Sequence, residues 1–302
     1  MTEPSDQLLD GPSGPLRVRV YRAAVPAGPG LVWLHGGAFA AGSIDMPEAD
    51  WVASEFAARG IAVVSVDYRL APTPPEWADA RGAEASDGVR YPVASDEAVF
   101  AFRWAASSGL AAGPWALGGA SAGGNLAAGA VLRMLRDRAE GHDVPDAAEA
   151  LVVPALAVLA YPTLHAVQPA SSAQLAGALA AEPAGTVFEP SRILAMYENY
   201  LGGPVDEADA VAIPGLAQAS DLAGFPPTIM VNDDVDALRT SGEAFAATLA
   251  DAGREVDVST EPGTRHGHLN RPDEPDAALA TIERFAARIL RLVPPAPRPP
   301  TA

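Results

Sequence analysis

The chain has 302 residues, of which 49% are hydrophobic, enough to build one large α/β domain. Its formal net charge of -18 argues against nucleic-acid and anionic-membrane partners, because both require a basic protein surface. All 20 basic residues are arginine and cysteine is absent, which excludes lysine-based catalysis, disulfides, thiol nucleophiles and thiolate metal sites.

The N-terminal residues are acidic where a signal peptide carries positive charge, and no apolar segment follows them. The most apolar run, 150–161, includes Pro154 and has about a dozen residues, fewer than a membrane span needs. The sequence therefore predicts a cytoplasmic protein with no membrane contact.

Predicted strands and helices alternate in the first part of the chain. Strands are predicted over 16–21, 31–34 and 61–66, and a helix over 47–59. The second strand ends in His35-Gly36-Gly37-Ala38-Phe39, where two glycines allow backbone N–H groups to face a ligand. This segment is a candidate oxyanion loop. Residues 73–90 are rich in Pro, Gly and Asp, which predicts a surface loop able to rim a pocket.

A short apolar run beginning at Trp115 meets Gly119-Ala120-Ser121-Ala122-Gly123 and then an alanine-rich helical segment. This pattern predicts a strand, a sharp turn and a helix. A serine at such a turn has a strained backbone, and only small neighbours let the strand and the helix pass close to it. Ser121 is therefore a candidate nucleophile.

Helices and strands continue to alternate after this turn, except in one insertion. Helices are predicted over 94–106, 125–139, 191–200, 241–252 and 276–292, and strands over 155–160, 227–231 and 255–260. The segment 165–223 interrupts the alternation and is a candidate cap or lid. The pattern predicts one domain over 1–293 with a mainly parallel sheet covered on both faces, followed by a mobile Pro-rich tail over 294–302.

A serine hydroxyl needs a base that is itself oriented by an acid, together with N–H donors for the developing oxyanion. In the nucleophile-elbow architecture, the acid and then a histidine follow on loops after later strands. The candidates after the last two predicted strands are Asp233, Asp234, Asp236, His266 and His268. Spacing within one loop does not separate them.

Five motifs, taken in order, resemble the signatures of the α/β-hydrolase fold, specifically the hormone-sensitive-lipase-like (bacterial family IV) carboxylesterases. They are His35-Gly36-Gly37-Ala38-Phe39, Asp67-Tyr68-Arg69-Leu70-Ala71-Pro72, Gly119-Ala120-Ser121-Ala122-Gly123-Gly124-Asn125, Asp236-Ala237-Leu238-Arg239 and His266-Gly267. The resemblance covers residues 16–292. It implies an eight-stranded sheet, a helical cap and hydrolysis of small, mostly short-acyl esters without a cofactor. No metal site is predicted, because the sequence shows no pair of metal ligands at helical spacing.

The resemblance implies a role for each member of a catalytic triad. Ser121 would be the nucleophile, His266 the general base and acid, and Asp236 the residue that fixes the imidazole tautomer. The His-Gly motif favours His266 over His268, which is expected to contact substrate instead. The Asp-x-Leu-Arg motif favours Asp236, and Asp234 is expected to accept backbone hydrogen bonds.

The same resemblance assigns the oxyanion donors and part of the substrate pocket. The donors would be the N–H groups of Gly37, Ala38 and Ala122, with Gly36 adjacent. Ala38 stands where the family commonly has a third glycine, so its methyl group is expected to narrow the pocket. Candidate pocket residues are Phe39, His268, Met196 and Tyr197.

The sequence leaves the cap, the exact substrate and the oligomeric state open. Only 34 residues precede the His-Gly-Gly motif, fewer than in relatives, so the cap is expected to be reduced or rebuilt from 73–90 and 165–223. Alternative activities are amide, carbamate or lactone hydrolysis, deacylation of a specialised metabolite, or ligand binding by a non-catalytic receptor. The resemblance also implies a homodimer formed through 255–260 and 276–292.

Overall fold

The computed structural model describes residues 3–23, 28–81, 84–141, 153–183 and 188–292. The predicted mobile tail, 294–302, lies outside the described residues. An eight-stranded sheet runs through the molecule, with a separate hydrophobic cluster on each of its faces. This arrangement confirms the predicted fold class, a mainly parallel α/β sheet of eight strands covered on both sides.

The strands are β1 (Ser5–Gly11), β2 (Gly14–Tyr21), β3 (Gly30–Leu34), β4 (Ala62–Val66), β5 (Trp115–Ala120), β6 (Leu156–Ala160), β7 (Thr228–Val235) and β8 (Val256–Arg265). Their order in the sheet is β1-β2-β4-β3-β5-β6-β7-β8. The β1–β2 and β2–β4 pairs are antiparallel, and the other five pairs are parallel.

The helices are α1 (Asp50–Ala58), α2 (Pro75–Arg81), α3 (Val93–Ser107), α4 (Ala122–Glu140), α5 (Ala173–Ala180), α6 (Pro190–Leu201), α7 (Arg239–Asp251) and α8 (Pro275–Ile289). Helices α3, α4 and α7 contribute to one hydrophobic cluster, and α1 and α8 contribute to the other. In the described part of the chain, no helix is both long and apolar enough to cross a membrane.

The central strands explain the continuous apolar runs of the sequence. Every residue of β3, β5 and β6 is buried, because both faces of the sheet are covered at these positions. The edge strand β1, by contrast, has mostly exposed side chains and is held by antiparallel pairing with β2. Its polar sequence carries no buried face, and for that reason pattern reading did not predict it.

Two further differences concern the segments around the site. The segment 73–90, predicted as a loop, contains helix α2, which begins with Pro75 and has Glu76 in its first turn, both favourable at a helix N-terminus. Strands β7 and β8 run to Val235 and Arg265, several residues beyond their predicted ends. The insertion 165–223 supplies α5 and α6, and short 3-10 turns follow at Val205–Glu207 and Pro214–Leu216.

Parallel strands bring distant segments of the chain to one edge of the sheet. The candidate oxyanion loop follows β3, Ser121 follows β5, Asp236 follows β7 and His266 follows β8. Because these strands run in the same direction, their carboxyl ends meet at one crevice, the usual ligand site of open α/β sheets.

Candidate active site

Ser121 lies at the sharp turn between β5 and α4 with a backbone φ of +52° and ψ of -117°. Its N–H donates to the carbonyl oxygen of Ala160 at 2.9 Å, which holds the turn against β6. A Cβ added to Gly123 would lie 2.1 Å from the carbonyl oxygen of Leu34, and one added to Gly119 would lie 2.4 Å from the carbonyl oxygen of Gly123. Only glycine fits at either position, so the small neighbours are a steric requirement of this turn.

The side chains of Ser121, His266 and Asp236 form one continuous hydrogen-bond path. His266 Nε2 lies 2.9 Å from Ser121 Oγ, and His266 Nδ1 lies 2.7 Å from Asp236 Oδ2. The second oxygen of Asp236 accepts the N–H of Leu238 at 3.0 Å, and the carboxylate is 2% exposed. The arrangement can move a proton from the hydroxyl to the imidazole while the carboxylate stays ionised and oriented.

The charges around His266 favour its protonated form. Burial by itself lowers the pKa of His266, but the charge and hydrogen bond of Asp236, with smaller contributions from Asp233 and Glu48, raise that pKa above 6.5. The imidazolium that forms when His266 accepts a proton is therefore stabilised.

The backbone after β3 presents unpaired donors beside Ser121. Gly37 and Ala38 both have positive φ, +120° and +57°, and their N–H groups donate to no acceptor among the described residues. The same is true of Ala122, the first residue of α4, whose N–H has no partner within the helix. These three N–H groups were predicted as oxyanion donors, and Gly37 and Ala38 line the same cavity as Ser121.

A buried carboxylate lies beneath this loop. Glu48 Oε1 accepts the N–H of Gly36 at 2.5 Å, and Oε2 accepts the hydroxyl of Tyr161 at 2.6 Å and the amide of Asn270 at 3.0 Å. Glu48 is 1% exposed, and both of its carboxyl oxygens accept hydrogen bonds. It connects the oxyanion loop to the end of β6 and to the segment that follows His266. Pattern reading missed it, because nothing in a single Glu before a helix indicates that it turns inward.

His35 supports the same loop from another side. Its Nδ1 lies 2.7 Å from the carbonyl oxygen of Gly36, and its ring stacks on Tyr68 with the ring centroids 4.3 Å apart. The Tyr68 hydroxyl donates to the carbonyl oxygen of His35 at 2.7 Å. Burial lowers the pKa of His35, so its neutral ring acts in packing and hydrogen bonding.

A cavity of about 580 Å³ opens in front of Ser121 and His266. Helix α2 contributes Glu76 and Trp77 to its wall, so the predicted rim segment does reach the pocket. Further walls come from α6 and neighbouring segments, where Met196 alone was predicted: Phe188, Ser191, Arg192, Ile193, Ala195, Met196 and Leu238.

Three of the four predicted pocket residues do not line this cavity, and only Met196 does. Phe39 is 1% exposed because its ring packs in the core, where it stacks on Tyr200 with ring centroids 4.2 Å apart. Tyr197 is fully buried, and its hydroxyl donates to Asn125 Oδ1 at 2.8 Å, which ties α6 to α4. His268 also lies away from the lining of this cavity.

His268 and Asp233 bind each other instead of facing the cleft. His268 is 3% exposed, and its Nδ1 lies 2.5 Å from Asp233 Oδ1. Asp234 accepts the N–H of Gly263 at 3.0 Å and pairs with Arg239 at 3.2 Å, in keeping with its expected role in the loop. Neither Asp233 nor Asp234 is hydrogen-bonded to His266, which has Asp236 as its carboxylate partner.

Among the described residues, one group of acidic and histidine side chains lies close enough together to be considered as a metal site. Oxygen or nitrogen atoms of Asp233, Asp236 and His266 lie within 4.8 Å of one another. Hydrogen bonds among these residues and to the backbone of Gly267 and Leu238 account for that proximity. That the site works without a metal or cofactor stays a prediction.

Comparisons with known proteins agree with this geometry. A family profile described as alpha/beta hydrolase fold matches residues 31–83 and 84–270. The chain is 33% identical to the carboxylic ester hydrolase LipN of Mycobacterium tuberculosis, over 88% of this chain and 64% of LipN. It is 30% identical to an ethyl acetate hydrolase of Pseudomonas putida, over 88% of this chain and 76% of that protein. The chain therefore spans slightly less than two thirds of the length of LipN.

A solved structure with a similar fold is the thermostable carboxylesterase EstE1, cloned from a metagenomic library. Its TM-score is 0.76 and its sequence identity is 30%, over 97% of this chain and 90% of EstE1. The profile, the relatives and this structure together confirm the family that the five sequence motifs predicted.

Proposed function

Because this chain belongs to the α/β-hydrolase fold family, among its carboxylesterases, we propose that it cleaves small, short-acyl carboxylic esters through an acyl-enzyme on Ser121. The observation that carries the proposal is the hydrogen-bond path from Ser121 through His266 to Asp236, with Ser121 Oγ at the floor of a cavity of about 580 Å³. A second support is that Gly37 and Ala38, whose backbone N–H groups have no acceptor among the described residues, line the same cavity.

In the proposed reaction, Ser121 Oγ attacks the ester carbonyl carbon as His266 Nε2 takes the hydroxyl proton. The carbonyl oxygen becomes an oxyanion, which the N–H groups of Gly37, Ala38 and Ala122 stabilise. The tetrahedral intermediate then collapses, the carbon–oxygen bond to the alcohol breaks, and His266 protonates the leaving oxygen. Water, deprotonated by His266, cleaves the acyl-enzyme and regenerates the serine hydroxyl.

The preference for short acyl groups is supported by two observations. Ala38 lines the same cavity as Ser121, and its methyl group would fill space that a glycine at this position would leave to the acyl group. A second support is the similarity to the ethyl acetate hydrolase of Pseudomonas putida, whose name refers to a small ester of a two-carbon acid. The same residues could act on amides, carbamates or lactones, but no contact in the cavity favours these substrates.

The experiment that tests this function uses a fluorophosphonate probe, which reacts with activated serines, together with p-nitrophenyl esters of increasing acyl length. We expect one adduct, located on Ser121 by peptide mass spectrometry, and rates that fall from acetate and butyrate to octanoate. An intact cavity without an adduct or any ester hydrolysis would instead favour a non-catalytic receptor.

We propose in addition that the protein is a cytoplasmic homodimer. The support for the dimer is that β8 is an outer strand of the sheet and exposes Val258, which is 42% accessible. Light scattering coupled to gel filtration should give twice the chain mass of 30.9 kDa, and a monomer at micromolar concentration would contradict the dimer. Fractionation of cells that produce the protein tests the location.

A further inference from the structure

A second histidine–aspartate pair lies directly behind the first. His268 Nδ1 lies 2.5 Å from Asp233 Oδ1, and His268 Nε2 lies 2.9 Å from the hydroxyl of Thr281 in α8. Asp233 and Thr281 are fully buried and His268 is 3% exposed. The order of hydroxyl, imidazole and carboxylate is the same as at Ser121, but here the hydroxyl is sealed inside the core. This cluster therefore cannot attack a substrate.

Backbone hydrogen bonds connect the buried pair to the active site. The N–H of Gly267 donates to Asp233 Oδ2 at 3.0 Å, so one carboxylate binds both residues that follow His266. The ring of Tyr161 contacts both imidazoles, with centroids 5.0 Å from His266 and 5.2 Å from His268. The turn that carries His266 cannot move without breaking buried hydrogen bonds, whose loss is costly.

The pair also places a negative charge near the catalytic base. An oxygen of Asp233 lies within 4.8 Å of both Asp236 and His266, at a depth where water screens it weakly. Among the described residues, the other titratable or charged groups near His266 include Asp236 after β7, Glu48 before α1 and Tyr161 after β6. Arg271 donates to the His266 carbonyl oxygen at 3.4 Å.

We propose that Asp233 and His268 are positioning residues that fix the turn carrying His266 and hold a second negative charge beside its imidazole. The inference rests on the proposed function only in naming His266 as the base. Thr281 belongs to the same group of residues, because its hydroxyl is hydrogen-bonded to His268 and so holds His268 against α8.

The charge can be removed with little change in shape by Asp233→Asn. The asparagine oxygen can still accept the N–H of Gly267, and the asparagine amide can donate to His268 Nδ1. His268 then carries its proton on Nε2 and donates it to the Thr281 hydroxyl. We expect the pKa of His266 to fall by about half to one unit, since an opposite charge within a few ångströms favours the charged form. The acidic limb of kcat/KM should move to lower pH by the same amount, with KM nearly unchanged.

The matched control is Asp234→Asn, which removes the neighbouring charge from a carboxylate that binds Gly263 and Arg239 instead of the His266 turn. Its acidic limb should stay at the wild-type pH. If both variants moved the acidic limb of kcat/KM equally, the shift would come from the change in net charge. The specific role of Asp233 would then be overturned.

Proton NMR titration of the His266 ring, assigned through His266→Gln, measures the same pKa without any substrate. This measurement separates the two proposals: a protein that hydrolyses no ester contradicts the proposed function, whereas equal His266 midpoints in wild type and Asp233→Asn overturn the present one.

The positioning role has its own pair of variants. Thr281→Val removes the anchoring hydroxyl at nearly constant volume, and Thr281→Ser keeps it. We expect Thr281→Val to lower kcat several-fold without moving the acidic limb, and Thr281→Ser to restore most of the loss. If Thr281→Val were as active as wild type, the anchoring of the turn through α8 would be refuted, even if Asp233→Asn failed to fold.

Discussion

The hydroxyl of Tyr161 donates a 2.6 Å hydrogen bond to Glu48 Oε2, and this bond connects the end of β6 to the underside of the oxyanion loop. The other oxygen of Glu48 holds the N–H of Gly36, one residue before the first proposed oxyanion donor. A buried carboxyl group thus holds the loop whose outer face is proposed to bind the developing oxyanion.

Glu48→Gln should lower kcat by about 10- to 100-fold with little change in KM. Three groups donate to Glu48, and glutamine offers only one acceptor oxygen, so the oxyanion loop loses support and its N–H groups shift away from the transition state. Steady-state kinetics on p-nitrophenyl acetate measure the effect. Glu76→Gln, at the pocket wall, is the control and should retain activity within about threefold; a similar kcat for both variants would contradict this role.

Asp236→Asn should lower kcat by about 10³- to 10⁴-fold, because the amide no longer fixes the imidazole tautomer or stabilises the imidazolium. Asp234→Asn, two residues earlier, serves as the matched control.

Ser121→Ala should abolish both turnover and labelling by the fluorophosphonate. Retention of turnover in Ser121→Ala would remove this serine from the mechanism.

The pH profile of kcat/KM should lose activity on the acidic side with a midpoint above 6.5. His266 must be neutral to accept the serine proton, and its pKa in the folded protein is raised above 6.5 by Asp236, which outweighs the opposing effect of burial. Activity is therefore complete at high pH and is lost as the pH falls through that value. Rates measured between pH 5 and 9 give this midpoint. A midpoint at or below 6.5 would contradict the raised pKa of His266 beside Asp236.

Ala38→Gly should widen the acyl side of the cavity. We expect the ratio of kcat/KM for a branched acyl ester to that for acetate to rise by about tenfold, since one methyl group in such a pocket changes selectivity by that order. Relief of the positive φ at residue 38 offsets the greater freedom of glycine in the unfolded chain, so thermal stability should change little. Ala195→Gly, on the α6 wall, should leave the ratio unchanged.

Tyr197→Phe should destabilise the protein by about 1–3 kcal/mol, because it leaves the buried oxygen of Asn125 without its donor. Urea denaturation measures this difference. Tyr91→Phe is the control, since the Tyr91 hydroxyl bonds to Asp209 near the surface and its loss should cost little. Equal midpoints for the two variants would show that Tyr197 does not stabilise the packing of α6 on α4.

Much of the fold was predictable from the order of the residues. The buried strands β3, β5 and β6 are continuous apolar runs, and Gly119 and Gly123 mark a turn in which no larger residue fits. Such features are local, so they can be read from neighbouring residues. The edge strand β1 and the short helix α2 lack an apolar period in the sequence, and they were missed.

The sequence by itself determined the family, the sheet, and Ser121, Asp236 and His266 as candidates, because five motifs stand in a fixed order along the chain. Only the tertiary structure decided that His266, and not His268, is hydrogen-bonded to Ser121, and that Phe39 and Tyr197 belong to the core. Adjacent loop residues have equivalent spacing, and the direction of each side chain depends on partners far away in the sequence. Glu48 is the clearest case: its partner Tyr161 is 113 residues distant, and no local pattern records that contact.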